Sequence, residues 1–363
     1  MTAARYYAGH HSDRTERQIM TPDPDRIDQL LRYGVEHRVY PGAVWGIGDA
    51  DRIHYTGSCG FLDPYDGSDP MTRDTVFDIA SLTKIVAVWS VIGLLWDQER
   101  LNLDDPLGVL MPDLDGYQLA RVTVRQLLTH TAGVPLRANL KNLYGTDPDR
   151  IRTGVLREPL HRPPGQAVEY TDRAALILGF LVEHLTSIPL DQLAQKRIWQ
   201  PIGMTTTRFG PLPSELIKRC APTEYDEQTG RYLKGMAHDF SARLLGGACG
   251  IAGAFSTVAD LATFLQRLLD PGTRNGFSAA WIQESFQVHT GDLRPPRGLF
   301  WHPAPDTDPA DGIYMHYGFT GTGMWTSLKQ GRWAVLLTNK LYFGRDRQPL
   351  NEIRNLFRSL TFG

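Results

Sequence analysis

A chain of 363 residues, 42% hydrophobic and 21% charged, can bury one large domain or two lobes and has an ordinary globular composition. Its formal net charge of -2 provides no basic footprint for nucleic acid and no acidic tail. The longest apolar run, Ile85 to Trp96, is about a dozen residues against the roughly 20 that span a bilayer, so a core helix is expected there and no membrane partner.

The first 22 residues read as a polar lead-in without the continuous apolar stretch of a secretory signal. Cys59, Cys220 and Cys249 are odd in number and widely spaced, which points to neither a disulfide framework nor a zinc site. A cytoplasmic location is the expectation. "DPDRIDQLLRYGVEHR" carries apolar residues at helical spacing, and "GAVWGIGDA" with "DRIHYTGSCG" reads as a hairpin turning near Asp49 to Asp51. A helix starts near Ser81. From 105 to 245, short helical segments are broken by Pro and Gly ("MPDLDGYQL", "HRPPGQ", "PIGM"), which predicts a mostly helical lobe. After "LLGGACGIAG" come an amphipathic helix, "STVADLATFLQRLLD", three strand-like runs, "GIYMHYGF", "GMWTSLK" and "RWAVLLTN", and a closing amphipathic "LNEIRNLFRSL". Strands at both ends with helices between them predict an α+β fold. Its antiparallel sheet, flanked by helices, would be closed by residues 23–104 and 246–363, with 105–245 as the second lobe.

Ser81 and Lys84 lie three apart, so on a helix Ser81 Oγ and Lys84 Nζ come within hydrogen-bond reach. A serine hydroxyl needs a base to become a nucleophile, and an ammonium must first lose its proton. Burial in the apolar run after Lys84 would lower its pKa. Ser81 also sits at a helix start, where free amides favour an oxyanion. The alternative is plain: Ser81 caps the helix and Lys84 snorkels to solvent.

"FDIASLTK", "LLTHTAGV", "PGQAVEYTD", "IGM", "GIAGAFSTVADLATF" and "HYGFTGTG", in this order, closely resemble the serine β-lactamase and penicillin-binding-protein superfamily. The resemblance covers roughly residues 25 to 360 and looks most like the class C β-lactamase-like branch, which includes many esterases and peptidases. It implies an antiparallel sheet with a helical lobe beside it, an acyl-enzyme on Ser81, and Lys84 as its basic partner. The family's Tyr-x-Asn falls on "YTD", which implies Tyr170 as the group that takes and returns the serine proton. Asp172 stands where asparagine is usual. It either lines the cleft or caps the helix that follows, and its charge would raise the pKa of Lys84 and disfavour β-lactam turnover.

The family's third element, Lys-Thr-Gly or His-x-Gly, falls on "HYG". By that resemblance His316 contributes a hydrogen bond or positive charge, Gly318 lets substrate approach the backbone, and the Phe319 N–H pairs with that of Ser81 as an oxyanion hole. Without the lysine, carboxylate-bearing substrates are less favoured. Tyr317, with Trp325 and Tyr144, would line an apolar acyl pocket or else belong to the core. His130 would support the cleft without taking part in chemistry. No spacing indicates a metal, cofactor or dinucleotide site, and no G-x-S-x-G elbow is present.

The expected activity is serine acyl transfer from a small-molecule ester or amide, with esterase-type hydrolysis foremost. The alternatives are a transacylase using an amine or alcohol acceptor, a β-lactamase or D-Ala peptidase, and a catalytically weak acyl-ligand binding protein.

Overall fold

In the computed structural model the described residues are 21–363, apart from 66, 68, 137–138, 272–275 and 308. The polar lead-in expected over residues 1–22 lies outside them as far as residue 20. The N-terminal helix, Pro24–Glu36, starts where Asp23 accepts the Arg26 amide and proline occupies the first turn. Its buried Ile27 and Leu31 face the sheet.

Six strands make that sheet: β1 Gly42–Gly48, β2 Ile53–Gly60, β3 His302–Pro303, β4 Ile313–Tyr317, β5 Gly323–Ser327 and β6 Arg332–Thr338. Their order is β2-β1-β6-β5-β4-β3 and every neighbour is antiparallel. The two ends of the chain meet where β1 pairs with β6, Ala43 opposite Thr338 and Gly48 opposite Trp333. Side-chain alternation divides the core between the two faces of the sheet. Ala43, Trp45 and Ile47 pack with Ala334, Leu336 and Phe357 beneath the N-terminal helix and the C-terminal helix Gln348–Phe362. Val44, Val335 and Leu337 face the other way, in one core with Val258, Leu261 and Leu265 of the helix Val258–Leu269. At Gly46 a Cβ would come within 2.7 Å of Val258 Cγ1, so glycine lets that helix lie close against β1. The α+β architecture with an antiparallel sheet flanked by helices is therefore present.

The expected helix at Ser81 has a finer structure. It begins as a 3-10 turn at Ala80–Leu82, widens to a π turn over Lys84–Trp89 and becomes α-helical only at Ser90–Asp97. In the wide turn Val86 O accepts from Trp199 Nε1 at 2.8 Å and Ile85 O from Ser90 Oγ at 3.0 Å. It is the one helix among the described residues long and apolar enough to cross a membrane, yet 78% of that window is buried within the fold.

Between 105 and 245 short helices predominate, and the longest, Asp172–Thr186, is buried over most of its length. The sequence did not indicate Arg208–Phe209, which joins Phe77–Asp78 and Ala254–Ser256 in a three-stranded sheet beside Ser81. Arg173 anchors the start of the long helix: its Nε lies 2.7 Å from Glu158 Oε2, and its Nη2 donates 2.8 Å to Oε1. Both side chains are nearly buried, at 6% and 11% exposure. Arg173→Met should therefore destabilise the protein by about 3–5 kcal/mol by leaving the Glu158 charge uncompensated. Urea denaturation measures it; a loss below ~1 kcal/mol would show the pair to be dispensable.

Candidate active site

Ser81 lies where the three-stranded sheet hands the chain to the buried helix. Ala80 just before it takes φ +45°, a left-handed conformation that costs a non-glycine residue energy. The Asp78 carboxylate stabilises it, accepting the Ala80 amide at 2.8 Å and the His238 amide at 2.7 Å.

Lys84 is fully buried and its ammonium is saturated. Its three N–H groups meet Ser81 Oγ at 2.8 Å, Ile251 O at 2.9 Å and Asp172 Oδ1 at 2.8 Å. Burial, the largest single influence, pulls its pKa down, as expected from the sequence. The charge and hydrogen bond of Asp172, with further contributions from Tyr170, outweigh it, so the pKa is raised above the ordinary lysine value. This corrects the expectation of a lysine made basic by burial: in the resting site Lys84 is a charged donor to Ser81.

Asp172 can serve Lys84 because it does not cap the helix. Thr171 is the cap, accepting the Arg173 amide at 3.1 Å and donating to Pro135 O at 2.8 Å. Tyr170, 41% exposed, lies with its ring centroid 5.4 Å from Lys84 Nζ, 4.6 Å from the His130 ring and 6.2 Å from the His316 ring. His130, itself stacked on Phe300, supports that wall.

His316 is placed beside the site, but not as a cation. It is 1% exposed, and burial, reinforced by His302, Lys84, His130 and Arg297, drives its pKa well below the usual histidine value. Neither ring nitrogen has a protein partner among the described residues. Gly318 is required by the fold itself, because a Cβ there would lie 2.1 Å from Thr322 Oγ1 and 2.5 Å from Ile79 O. Phe319 stacks between the His238 ring at 5.6 Å and the Arg347 guanidinium at 4.3 Å. Among the described residues, no protein acceptor engages the Ser81 or Phe319 amide, which leaves both available to an incoming oxygen. Tyr317 lines the cavity, whereas Trp325 is wholly buried in the sheet core and Tyr144 bonds Glu158 away from the cavity.

Ser81, Tyr170, Asp172 and the 316–319 segment line one open cavity of about 1050 Å³. Sequence reasoning missed Arg297, Asp239, His302 and Arg345, which line it too. Arg297 is 9% exposed, its Nε has no acceptor, and no carboxylate pairs with it among the described residues. Nothing in the residues around it marks such a charge as special. Among the described residues no group of three or more His, Cys, Asp or Glu side chains is arranged to hold a metal.

Comparison with known proteins adds a second line of evidence. The Beta-lactamase family model matches residues 27–358. A relative from Escherichia coli (strain K12), provisionally named a D-alanyl-D-alanine carboxypeptidase, is 28% identical over 362 aligned positions, covering 87% of this chain and 82% of its own. Simvastatin synthase (LovD) from Aspergillus terreus superposes with a TM-score of 0.73 at 22% identity, covering 94% of this chain and 98% of its own. EstCE1, described as a hydrolase with promiscuous acyltransferase activity, gives 0.73 at 20% identity over 93% and 98%. At that identity the two solved structures establish a shared fold. The match over nearly the whole chain establishes more: this protein belongs to the β-lactamase family of serine hydrolases and acyl-transferases.

Proposed function

We propose that the protein is an esterase-type hydrolase that cleaves a small-molecule ester through an acyl-enzyme on Ser81. The observation that carries this reading is Ser81 Oγ, held 2.8 Å from the Lys84 ammonium beside Tyr170 and opening onto the cavity. Tyr170 relays the Ser81 proton, accepting it from Oγ and passing its own phenolic proton to the leaving oxygen of the ester as Oγ attacks the carbonyl, and the developing oxyanion is received by the Ser81 and Phe319 amides. Lys84 stays charged and favours the serine oxygen as it gains negative character. The leaving group departs as the neutral alcohol carrying that proton. Water then attacks the acyl carbon, giving a proton to Tyr170 as Tyr170 passes its phenolic proton to Ser81 Oγ, so the acid is released and Ser81 is restored. A cytoplasmic setting, small-molecule substrates and an amine or alcohol acceptor belong to this proposal and its transacylase variant.

One observation favours a second reading, a D-Ala carboxypeptidase acting on an amide. Arg297, a nearly buried cation without a protein counter-ion, lines the cavity near Tyr170 and suits a substrate carboxylate, the role that the missing family lysine would have filled. The test is turnover and intact mass with p-nitrophenyl butyrate, with and without added primary amine, beside diacetyl-Lys-D-Ala-D-Ala. Ester turnover without D-Ala release is expected. Release of D-Ala would transfer the reading to a peptidase, and amide product to a transacylase. A single acylation that never turns over would make the protein a binder, and no adduct at all would refute acyl transfer.

A further inference from the structure

The turn between β4 and β5, residues 318–322, carries the Phe319 amide and is fixed from two sides. Toward Ser81, Thr320 Oγ1 donates to Asp78 O at 2.7 Å and Thr322 Oγ1 to Ile79 O at 3.1 Å. From the C-terminal helix, Arg354, which also lines the cavity, donates through Nη2 to Gly318 O at 3.1 Å and Thr322 O at 2.7 Å. The Arg354 guanidinium lies 4.2 Å from the centroid of the Tyr317 ring, and the side chain is 3% exposed. No carboxylate pairs with it among the described residues, and its Nε has no acceptor. Burial lowers its pKa to about 10, with Tyr317 opposing and Arg347 adding to the fall. A buried cation answered by neutral oxygens and an aromatic face, with no carboxylate, is expensive to keep, and a neutral side chain could have filled the space.

What the charge touches gives the reason. Gly318 C=O and Phe319 N–H are the two ends of one trans peptide group, pointing in opposite directions. A cation on the oxygen polarises the whole amide and strengthens the N–H as a donor, by ~10–30% for a cooperative bond. It also prevents the peptide plane from rotating. We propose that Arg354 is a positioning residue for acyl transfer, whose guanidinium orients and polarises the Gly318–Phe319 peptide so that the Phe319 N–H meets the oxyanion formed at Ser81. The proposal rests on the reading of Ser81 as nucleophile and of the Phe319 amide as oxyanion donor.

Arg354→Met and Arg354→Lys test it, through kcat and KM on p-nitrophenyl butyrate and the Kd of phenylboronic acid, which forms a tetrahedral adduct on a serine oxygen. Arg354→Met is expected to lower kcat and weaken boronate binding together, each roughly tenfold, with KM unchanged. Arg354→Lys should recover part of both, since an ammonium keeps the charge but reaches the two carbonyls less well. If the methionine variant fails to fold, the lysine variant decides alone: kcat and boronate affinity lowered together support the role. Variants equal to wild type in both would overturn it. So would a loss confined to KM, which would mean that Arg354 touches substrate directly. A wild type that turns over ester but whose boronate affinity is untouched in the variants refutes Arg354 only; a wild type that forms no boronate adduct and turns over no ester refutes the nucleophile assignment with it.

Discussion

Ser81→Ala is expected to lower ester turnover by about 10⁴-fold or more and to remove the acyl adduct seen by intact mass, because the site holds no substitute nucleophile. Lys84, the nearest nitrogen, is charged and fully hydrogen-bonded. The three cysteines are buried, and burial pushes their thiols up, Cys59 to about 11 and Cys220 and Cys249 to about 12, so none supplies a thiolate at neutral pH. The fold should be indifferent to the change. Among the described residues the Ser81 side chain hydrogen-bonds Lys84 alone, and Lys84 keeps Asp172 and Ile251 O as acceptors without it. An unchanged thermal midpoint with activity gone is therefore the expected pair of results. An alanine variant that still acylates would place the nucleophile elsewhere and reduce the family match to a shared fold.

Those features of the site that depend on local spacing were legible in the sequence, and those that depend on distant backbone were not. The Ser81–Lys84 contact follows from a three-residue separation on one helical turn, and β1 and β6 were legible as strand-like runs at opposite ends of the chain, which the structure pairs. The charge state of Lys84 was not legible in the same way. It depends on Asp172, 88 positions away in the chain (172 − 84), and on a carbonyl at Ile251 that no side-chain motif encodes. The departure from asparagine at 172 hinted at it, but only the contact distance decides between burial and charge. The sequence offers Asp172 as the cap of the following helix, whereas Thr171 takes that place. Arg297 lies in a stretch without regular structure, where periodicity carries no signal, so an arginine there looks like any surface residue. For His316 the motif position implied a hydrogen bond or a positive charge, and burial, reinforced by basic neighbours from three other segments of the chain, disfavours the second.

Lys84→Ala should lower kcat by roughly 10³-fold with a small change in KM, since the ammonium interacts with the serine oxygen most strongly as that oxygen becomes negative. Its chemical form is tested separately by Asp172→Asn. In the wild type the raised pKa keeps Lys84 charged through neutral and mildly alkaline pH. By linkage, the stabilisation from that pairing is complete below the ordinary lysine pKa and is lost only as pH rises through the raised one. Removing the Asp172 charge leaves burial, the largest influence on Lys84, with less opposition, and the pKa must fall. If the ammonium is the working form, Asp172→Asn will lose kcat/KM on the alkaline side of a pH 6–10 profile, where the wild type does not. If the free amine were the working base, the same substitution would instead raise activity at neutral pH and bring the acidic limb of the profile down in pH. The first outcome is expected, because an ammonium already donating to Ser81 Oγ, Ile251 O and Asp172 has no lone pair with which to take the serine proton. The proposed mechanism accordingly assigns the proton relay to Tyr170, which lines the cavity with its ring 5.4 Å from the same ammonium.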